Sequence, residues 1–241
     1  MSLAPLPGPE RPGHRPRASD PEEVRRLLRS HAFFAPLGEE EREGVLELSH
    51  VLRLRRNGVL YTEGEPARSL YLLLSGRVKV VKHSPDGREQ TLQVVDPGET
   101  FNEAGAVGGT HVATAVALHS SRVLQIPSEL LRSLVRSGGP VADAVVAGLA
   151  GTVGRLAGLA ADLSLLSVTA RVARLLLTRE DCLVGASGGL SQQEMASLAG
   201  TARQVVGRIL RRMEEQGVID LDRGRIRVLD PGRLEQFAQV R

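Results

Sequence analysis

Cysteine, aromatic side chains and long apolar runs are all scarce in this 241-residue chain. The single cysteine, Cys182, can form no disulfide within the chain and cannot supply a four-thiolate iron–sulfur cluster, so we expect a reducing, cytoplasmic location. Aromatic residues make up 2% of the sequence, which argues against a single-strand nucleic-acid binder that stacks bases on rings. Gly, Arg and Asp interrupt the most apolar region, so we expect no membrane helix of ~20 apolar residues.

The charge that is present is mildly basic and comes almost wholly from arginine. The formal net charge is +3, and Lys79 and Lys82 are the only lysines. This balance suits a nucleic-acid partner, but many basic proteins bind none. The chain shows no nucleophile paired with a base, no metal-ligand spacing and no phosphate loop, so we expect no enzymatic activity.

The pattern of residues divides the chain into four segments. Residues 1–20 are rich in Pro, Gly and Arg, and we expect a disordered tail. Residues 21–138 begin with two short amphipathic helices and continue with short β-rich runs separated by turn signals, which predicts an antiparallel barrel, roll or sandwich. Residues 139–167 read as one long helix, and residues 168–241 as a mainly helical domain.

The long helix carries a seam of apolar residues at alternating spacings of four and three. Such a heptad seam is typical of a helix paired with its own copy, although a helix packed on its own domain gives the same pattern. Four off-seam glycines each cost about 1 kcal/mol of helix propensity, which close approach of a neighbouring element would explain. The seam residues are Val145, Leu149, Thr152, Leu156, Leu159, Leu163 and Leu166.

Near the C-terminus the sequence predicts two helices joined by a tight turn. Ser191 and Glu194 have the spacing of a capping box at the start of the first helix. Gly200 allows a turn with positive φ, Thr201 can cap the second helix, and Gly217 ends it.

A hairpin follows, with its turn at residues 222–224, and completes a winged helix-turn-helix. In this motif the start of the second helix enters the major groove of double-stranded DNA. Arg203, Gln204 and Arg208 would lie there, and Arg and Gln side chains can pair bidentately with guanine and adenine.

These motifs together resemble the Crp/Fnr family of bacterial transcription regulators, from about residue 30 to the C-terminus. The resemblance implies an α+β fold with an N-terminal antiparallel β-roll (a jelly-roll of the cyclic-nucleotide-binding type), a long dimerisation helix and a C-terminal winged helix-turn-helix. It implies a homodimer that binds a palindrome with TGTGA-like half-sites and contacts RNA polymerase. The segments that carry it are residues 57–66, 69–80, 96–101 and 200–210, the last with the flanking Gln193-Glu194 and residues 214–217.

The resemblance also assigns roles to single residues. Base contacts carry over to Arg203, Gln204 and Arg208. Phosphate contacts would be made by Ser191, Gln193, Thr201, Arg223 and Arg225.

The effector side departs from the family pattern. Cyclic-nucleotide binders carry Gly-Glu for the ribose and, about ten residues later, Arg-Ser for the phosphate, whereas this chain has Asn102-Glu103 and Ala113-Thr114. Without the arginine a buried cyclic phosphate lacks its strongest partner, so we expect no response to cyclic AMP. Leu156-Ala157 replaces the residues that reach the adenine. The expected effector is an unidentified small molecule in an apolar pocket, or none.

Two alternatives stay open. A haem-based gas sensor would need an axial ligand, for which His83, His111 and His119 are the candidates, although we predict no cofactor. A regulatory module that acts on a partner protein would carry a degenerate helix-turn-helix.

Overall fold

A computed structural model describes residues 21–178, 190–222 and 225–239 of the chain. The predicted tail at residues 1–20, Cys182 and Arg223 lie outside these described residues. The chain forms two compact units, one containing residues up to 81 and 93–151, the other containing 82–92 and 152 onward. The division falls inside the long helix rather than at either end of it.

Helices and strands follow one another in the order α1-α2, β1 to β6, α3, β7, β8, α4 to α8, β9, β10, α9. The helices are α1 (Pro21–Ser30), α2 (Glu39–Leu48), α3 (Glu103–Gly108), α4 (Ser128–Ser137), α5 (Pro140–Leu165), α6 (Val168–Thr178), α7 (Gln192–Ala199), α8 (Arg203–Glu215) and α9 (Pro231–Ala238). The strands are β1 (His50–Leu54), β2 (Val59–Tyr61), β3 (Ser69–Ser75), β4 (Val78–His83), β5 (Glu89–Val95), β6 (Thr100–Phe101), β7 (Thr114–Ala117), β8 (Ser121–Pro127), β9 (Ile219–Asp222) and β10 (Arg225–Val228).

Two four-stranded antiparallel sheets form the predicted roll, with strand orders β1-β8-β3-β6 and β2-β7-β4-β5. β3 is buried on both faces, which explains its unbroken apolar run. Leu70, Leu72 and Leu74 face a core shared with α1, α2, α4 and the start of α5, while Tyr71 and Leu73 face a second cluster containing residues of both sheets. The expected α+β fold with an N-terminal antiparallel roll is confirmed.

One of the glycines in α5 has a steric reason. A Cβ added at Gly148 would lie 2.8 Å from the Phe33 ring, in the segment between α1 and α2. A side chain there would force the ring away, so close packing explains Gly148 as expected. Gly154 and Gly158 have open space around them and receive no such explanation.

The predicted seam of α5 does not coincide with the exposed apolar face of the helix. Val145 is 2% exposed in the core of its own unit, where Leu149 packs beside it. In the other unit, Leu163 lies so close to Gly200 that a Cβ there would be 2.5 Å from its Cδ2. Much of the seam is therefore occupied within the chain, which corrects the prediction of Val145 as a dimer contact.

The remaining seam positions differ in their exposure to solvent. A second heptad pattern lies beside them on the helix, and all of its residues are exposed. Thr152 and Leu159 are half-buried, Leu156 is 40% exposed, and Leu166 lies just beyond the helix. At 100° per residue, the exposed pattern lies about 100° round the helix from the predicted seam. We call it the exposed α5 stripe, and its residues are Val146, Ala150, Val153, Ala157, Ala160 and Ser164.

By length and composition α5 is apolar enough to cross a membrane. Its best 18-residue window has a mean hydropathy of 1.6, and 6% of that window is buried. The expectation that no segment has such a composition is wrong for this helix. One helix of this kind is weak evidence for a span, because an exposed apolar face equally suits a second protein helix.

The second unit has its own core, built by α6, α7, α8, α9 and the β9–β10 hairpin. The register of the hairpin pairs Ile219 with Val228 and Leu221 with Ile226. The core side chains are Val172, Ala173, Leu176, Met195, Ala196, Ala199, Val206, Leu210, Met213, Val218, Ile219, Ile226, Leu234 and Ala238. The predicted helix, turn, helix and hairpin are thus packed as one body.

Candidate functional site

The first helix of the motif, α7, begins at the predicted capping box. The Ser191 hydroxyl oxygen accepts from the backbone N–H of Glu194 at 3.2 Å, and the Glu194 carboxylate accepts from the backbone N–H of Ser191 at 2.5 Å. The helix ends at Gly200, whose φ of +62° is left-handed. The capping box and the glycine turn are both confirmed.

The second helix, α8, starts one residue later than the sequence suggested. Its N-cap is Ala202, which offers no side-chain cap, so the prediction that Thr201 caps this helix is wrong. The N–H of Thr201 instead bonds to the carbonyl of Ala196 at 2.9 Å, which tightens the turn. The side chains that hold α8 in the core are Val206, Leu210 and Met213.

The predicted base-reading residues share the exposed side of α8. Arg203 and Gln204 occupy its first turn and Arg208 follows one turn later, and all three are exposed. Arg offers a planar fork of donors, and Gln offers one donor and one acceptor group. This face can therefore form bidentate hydrogen bonds with base edges.

The predicted phosphate-contacting residues flank that face in sequence. Ser191 and Gln193 are exposed at the start of α7, and Ser191 keeps its own O–H to donate. Thr201 is half-buried in the turn, and Arg225 is exposed on β10. Arg223 lies outside the described residues.

Arg208 also borders a groove that the sequence did not reveal. The groove has a volume of about 250 Å³ and an apolar floor, and Arg212 stands on the same side of α8. Spacing of four residues along an exposed helix face could have indicated that Arg208 and Arg212 neighbour each other. The residues that line it are Val168, Thr169, Val205, Arg208, Ile209, Arg212, Met213 and Phe237.

Asn102, one of the predicted effector residues of the roll, is hydrogen-bonded within the roll, to Ser69 and to the haem candidate His111. Asn102 has a φ of +71°, its amide donates to the Ser69 carbonyl at 2.8 Å, and its Oδ1 lies 3.0 Å from Nδ1 of His111. The His111 ring is stacked on Tyr61 at a centroid distance of 3.9 Å. Because Nδ1 and one ring face of His111 are occupied, only Nε2 is left for a ligand.

The positions that would hold a cyclic phosphate are small and buried. Ala113 is 1% exposed, and the hydroxyl of Thr114 accepts from the backbone N–H of Glu63 at 3.0 Å. Glu103 is half-buried at the start of α3. Leu156 and Ala157 lie on the part of α5 that belongs to the other unit, and both are exposed.

The other two haem candidates have no metal-site surroundings among the described residues. His83 is 3.6 Å from the Glu89 carboxylate, and His119 is half-buried. In the described ranges no group of three or more His, Cys, Asp or Glu is placed to hold a metal ion. The haem hypothesis stays an untested prediction.

Comparison with known proteins matches both halves of the chain. Residues 51–137 match the family profile of the cyclic nucleotide-binding domain, and residues 170–237 match that of the Crp-like helix-turn-helix domain. The cyclic AMP receptor protein of Thermus thermophilus is 34% identical over 181 residues, which is 74% of this chain and 83% of that protein. The chain belongs to the Crp/Fnr family.

Two further Crp/Fnr proteins extend the likeness. The CRP-like cAMP-activated global transcriptional regulator of Mycobacterium tuberculosis is 29% identical over 192 residues, covering 76% of this chain and 86% of that protein. The crystal structure of a CRP-family transcriptional regulator from Thermus thermophilus superposes with a TM-score of 0.64 at 30% identity, over 78% of this chain and 96% of that one. The predicted resemblance to the Crp/Fnr family is therefore confirmed, and with it the class of the protein, a Crp-like DNA-binding regulator of transcription.

Because His111 is buried, we expect the stability of the roll to depend on pH. Desolvation lowers the pKa of His111, and also that of His31, below the ordinary value of 6.5. Below that value the unfolded chain binds protons that the folded chain excludes, so stability is full above about pH 6.5 and falls as the pH drops below it. The carboxylates of Glu39 and Glu43, whose pKa values arginines lower, lose their contribution only at more acid pH.

We expect the unfolding temperature to fall between about pH 7.5 and pH 5.5, and to fall less steeply in His111→Gln, because Gln cannot take up the proton. Thermal denaturation across this range measures both slopes. Identical slopes for the two proteins would show that His111 makes no contribution.

Proposed function

We propose that this Crp/Fnr protein binds a palindromic DNA operator as a homodimer and regulates transcription there without cyclic AMP as its effector. The observation that carries the proposal is the face of Arg203, Gln204 and Arg208, exposed on a helix whose opposite side is fixed in a core. Bidentate donors on a rigid helix are what base-specific binding requires.

The homodimer is supported by the exposed α5 stripe. Val146 is 64% exposed and Val153 is 66% exposed, in a pattern that alternates spacings of four and three. A second copy of the same helix covers such a stripe with knobs-into-holes contacts, and the small alanines allow a close approach. Two-fold symmetry then presents two copies of α8 to two half-sites related by a palindrome.

The operator is proposed to contain half-sites that resemble TGTGA. Arg208 and Arg203 suit guanines, and Gln204 stands where the cyclic AMP receptor has a glutamate that accepts from cytosine. Because an amide both donates and accepts, the base that faces Gln204 is less strictly selected. Membership of a family of transcription regulators supports the further proposal that regulation involves contact with RNA polymerase.

Cyclic AMP fits the roll of this chain poorly even though relatives are named for it. The phosphate-binding arginine is replaced by Ala113, which is buried and offers no donor beyond its backbone. The side-chain amide group of Asn102 donates to the Ser69 carbonyl, and its oxygen is hydrogen-bonded to the His111 ring. The signal is therefore either a different small molecule or the amount of the protein itself.

The proposal is tested by selecting duplexes from a randomised pool with the purified full-length protein. Enrichment of an inverted repeat is the expected result, and the triple variant Arg203→Ala, Gln204→Ala, Arg208→Ala should enrich none. Titration with cyclic AMP should leave the operator affinity unchanged. Absence of any enriched motif would overturn sequence-specific binding, and tighter binding with cyclic AMP would overturn the effector assignment.

A further inference from the structure

Three polar side chains of the second unit, two of them buried and the third, Glu89, 19% exposed, meet in a cluster that DNA binding does not explain. The Thr91 and Ser197 hydroxyl oxygens lie 2.6 Å apart, and the Ser197 hydroxyl donates to Oε1 of Glu89, also at 2.6 Å. Thr91 is 3% exposed and Ser197 is 2% exposed. Glu89 and Thr91 lie on β5, in the 82–92 segment, and Ser197 lies on α7. We call these three residues the polar clasp.

The hydrogens of the polar clasp can be assigned by counting donors. The Ser197 hydroxyl has one hydrogen, and the acceptor-only carboxylate of Glu89 takes it. Thr91 must then donate to Ser197, which gives a chain from Thr91 through Ser197 to Glu89. Hydrogen bonds to a carboxylate are short and strong, and removal of any member leaves a buried polar group without its partner.

The same segment also reaches the turn of the helix-turn-helix. The Gln90 amide donates to the Leu198 carbonyl at 3.4 Å. A Cβ at Gly200 would lie 2.7 Å from Oε1 of Gln90, so the glycine leaves room for this side chain as well as for the turn. The segment thus holds the last turn of α7 and the residue that directs the chain into α8.

We propose that the polar clasp positions the helix-turn-helix for specific DNA binding. This rests on the proposed function. Hydrogen bonds between buried polar groups form in only one relative geometry, whereas apolar contacts of the same area allow the two surfaces to slide past each other. A helix-turn-helix that is already held in one orientation needs no further ordering when it binds the operator. Less of the binding free energy is then consumed by ordering. Glu89, Thr91 and Ser197 are therefore positioning residues that contact no DNA.

The test compares Thr91→Val, Ser197→Ala and the double variant with the unmodified protein. Thr91→Val keeps the side-chain shape and removes the hydroxyl, and Thr91→Ser is the matched control that retains it. We expect each deletion to weaken binding to the selected duplex by about tenfold or more. The loss of affinity in the double variant should be smaller than the product of the two single losses, because both deletions break the same chain of hydrogen bonds.

Binding to a random-sequence duplex, and its dependence on salt, should not change in any variant, because the phosphate contacts are intact. Thr91→Ser should bind as the unmodified protein does. Unchanged or tighter binding to the selected duplex in Thr91→Val would overturn the proposal. Equal weakening on selected and random duplexes would also overturn it, since that result indicates general loss of the folded domain.

Amide hydrogen exchange without DNA separates the clasp from the proposed function. Residues 192–199 should exchange faster in Thr91→Val than in Thr91→Ser. Equal exchange in these two proteins would overturn the clasp itself. An unmodified protein that selects no duplex would instead overturn the proposed function, and with it the DNA-binding role of the clasp.

Discussion

Replacing Arg208 with alanine is expected to weaken operator binding by about 1–3 kcal/mol for each half-site and to relax the preference at one base pair. Arg208 is exposed one turn into α8, where a bidentate contact with guanine is within the geometry of the motif. The loss is larger than that of a surface charge because two directed hydrogen bonds disappear. Binding titrations against the selected duplex and its single-base variants measure both effects.

Arg225→Ala is the matched control for Arg208→Ala. Both variants remove one exposed arginine from the same domain, but Arg225 lies on the hairpin strand β10, where we predict a phosphate contact. Its loss should weaken all sequences alike and reduce the slope of affinity against salt by about one unit. If Arg208→Ala weakened selected and random DNA equally, the assignment of Arg208 as a base-reading residue would be wrong.

The parts of this site that could be predicted are those fixed by neighbours in sequence. The capping box depends on Ser191 and Glu194, three residues apart, and the turn depends on the left-handed φ of Gly200. Such signals are local, so the sequence alone indicated the helix-turn-helix and its exposed arginines. The residue that caps α8 was predicted wrongly because Thr201 has the better capping side chain, whereas in the structure the Thr201 N–H still closes the turn that ends α7 and Ala202 is the N-cap.

The parts that could not be predicted depend on distant partners. Ser197 reads as an ordinary helix residue until Thr91, which lies 106 positions away, is brought against it. Replacement of the phosphate-binding arginine by Ala113 was readable, but the stacking of His111 on Tyr61 was not.

The α5 helix shows why a heptad pattern does not by itself select a dimer face. Its sequence satisfies two seams, one rich in leucine and one rich in valine and alanine, about 100° apart. The leucine seam is the more apolar, and sequence reasoning prefers it. In the structure Val145 belongs to the core of its own unit, whereas Val146 and Val153 of the exposed α5 stripe are 64% and 66% exposed, more than Leu156 at 40%. Only the packing of the rest of the chain distinguishes the two.

Val153→Asp is therefore expected to convert the proposed homodimer to a monomer and to abolish binding to the proposed palindrome. Val153 is 66% exposed near the middle of the exposed α5 stripe, so in a symmetric pair two carboxylates would be buried close together without partners. An uncompensated buried charge costs about 3–5 kcal/mol. Sedimentation equilibrium of the full-length variant measures the change in dimer dissociation constant, which should rise by more than about a hundredfold.

Gly158→Asp is the control, because it introduces the same charge about 140° round the helix from Val153. Gly158 is exposed with open space around it, and aspartate has a higher helix propensity than glycine, so this variant should stay dimeric. A double variant of the other face, Leu156→Asp with Leu163→Asp, should lower the unfolding temperature more than Val153→Asp does, since Leu163 packs near Gly200 within the chain. If Val153→Asp stayed dimeric and bound the palindrome normally, the two copies would have to meet through another surface.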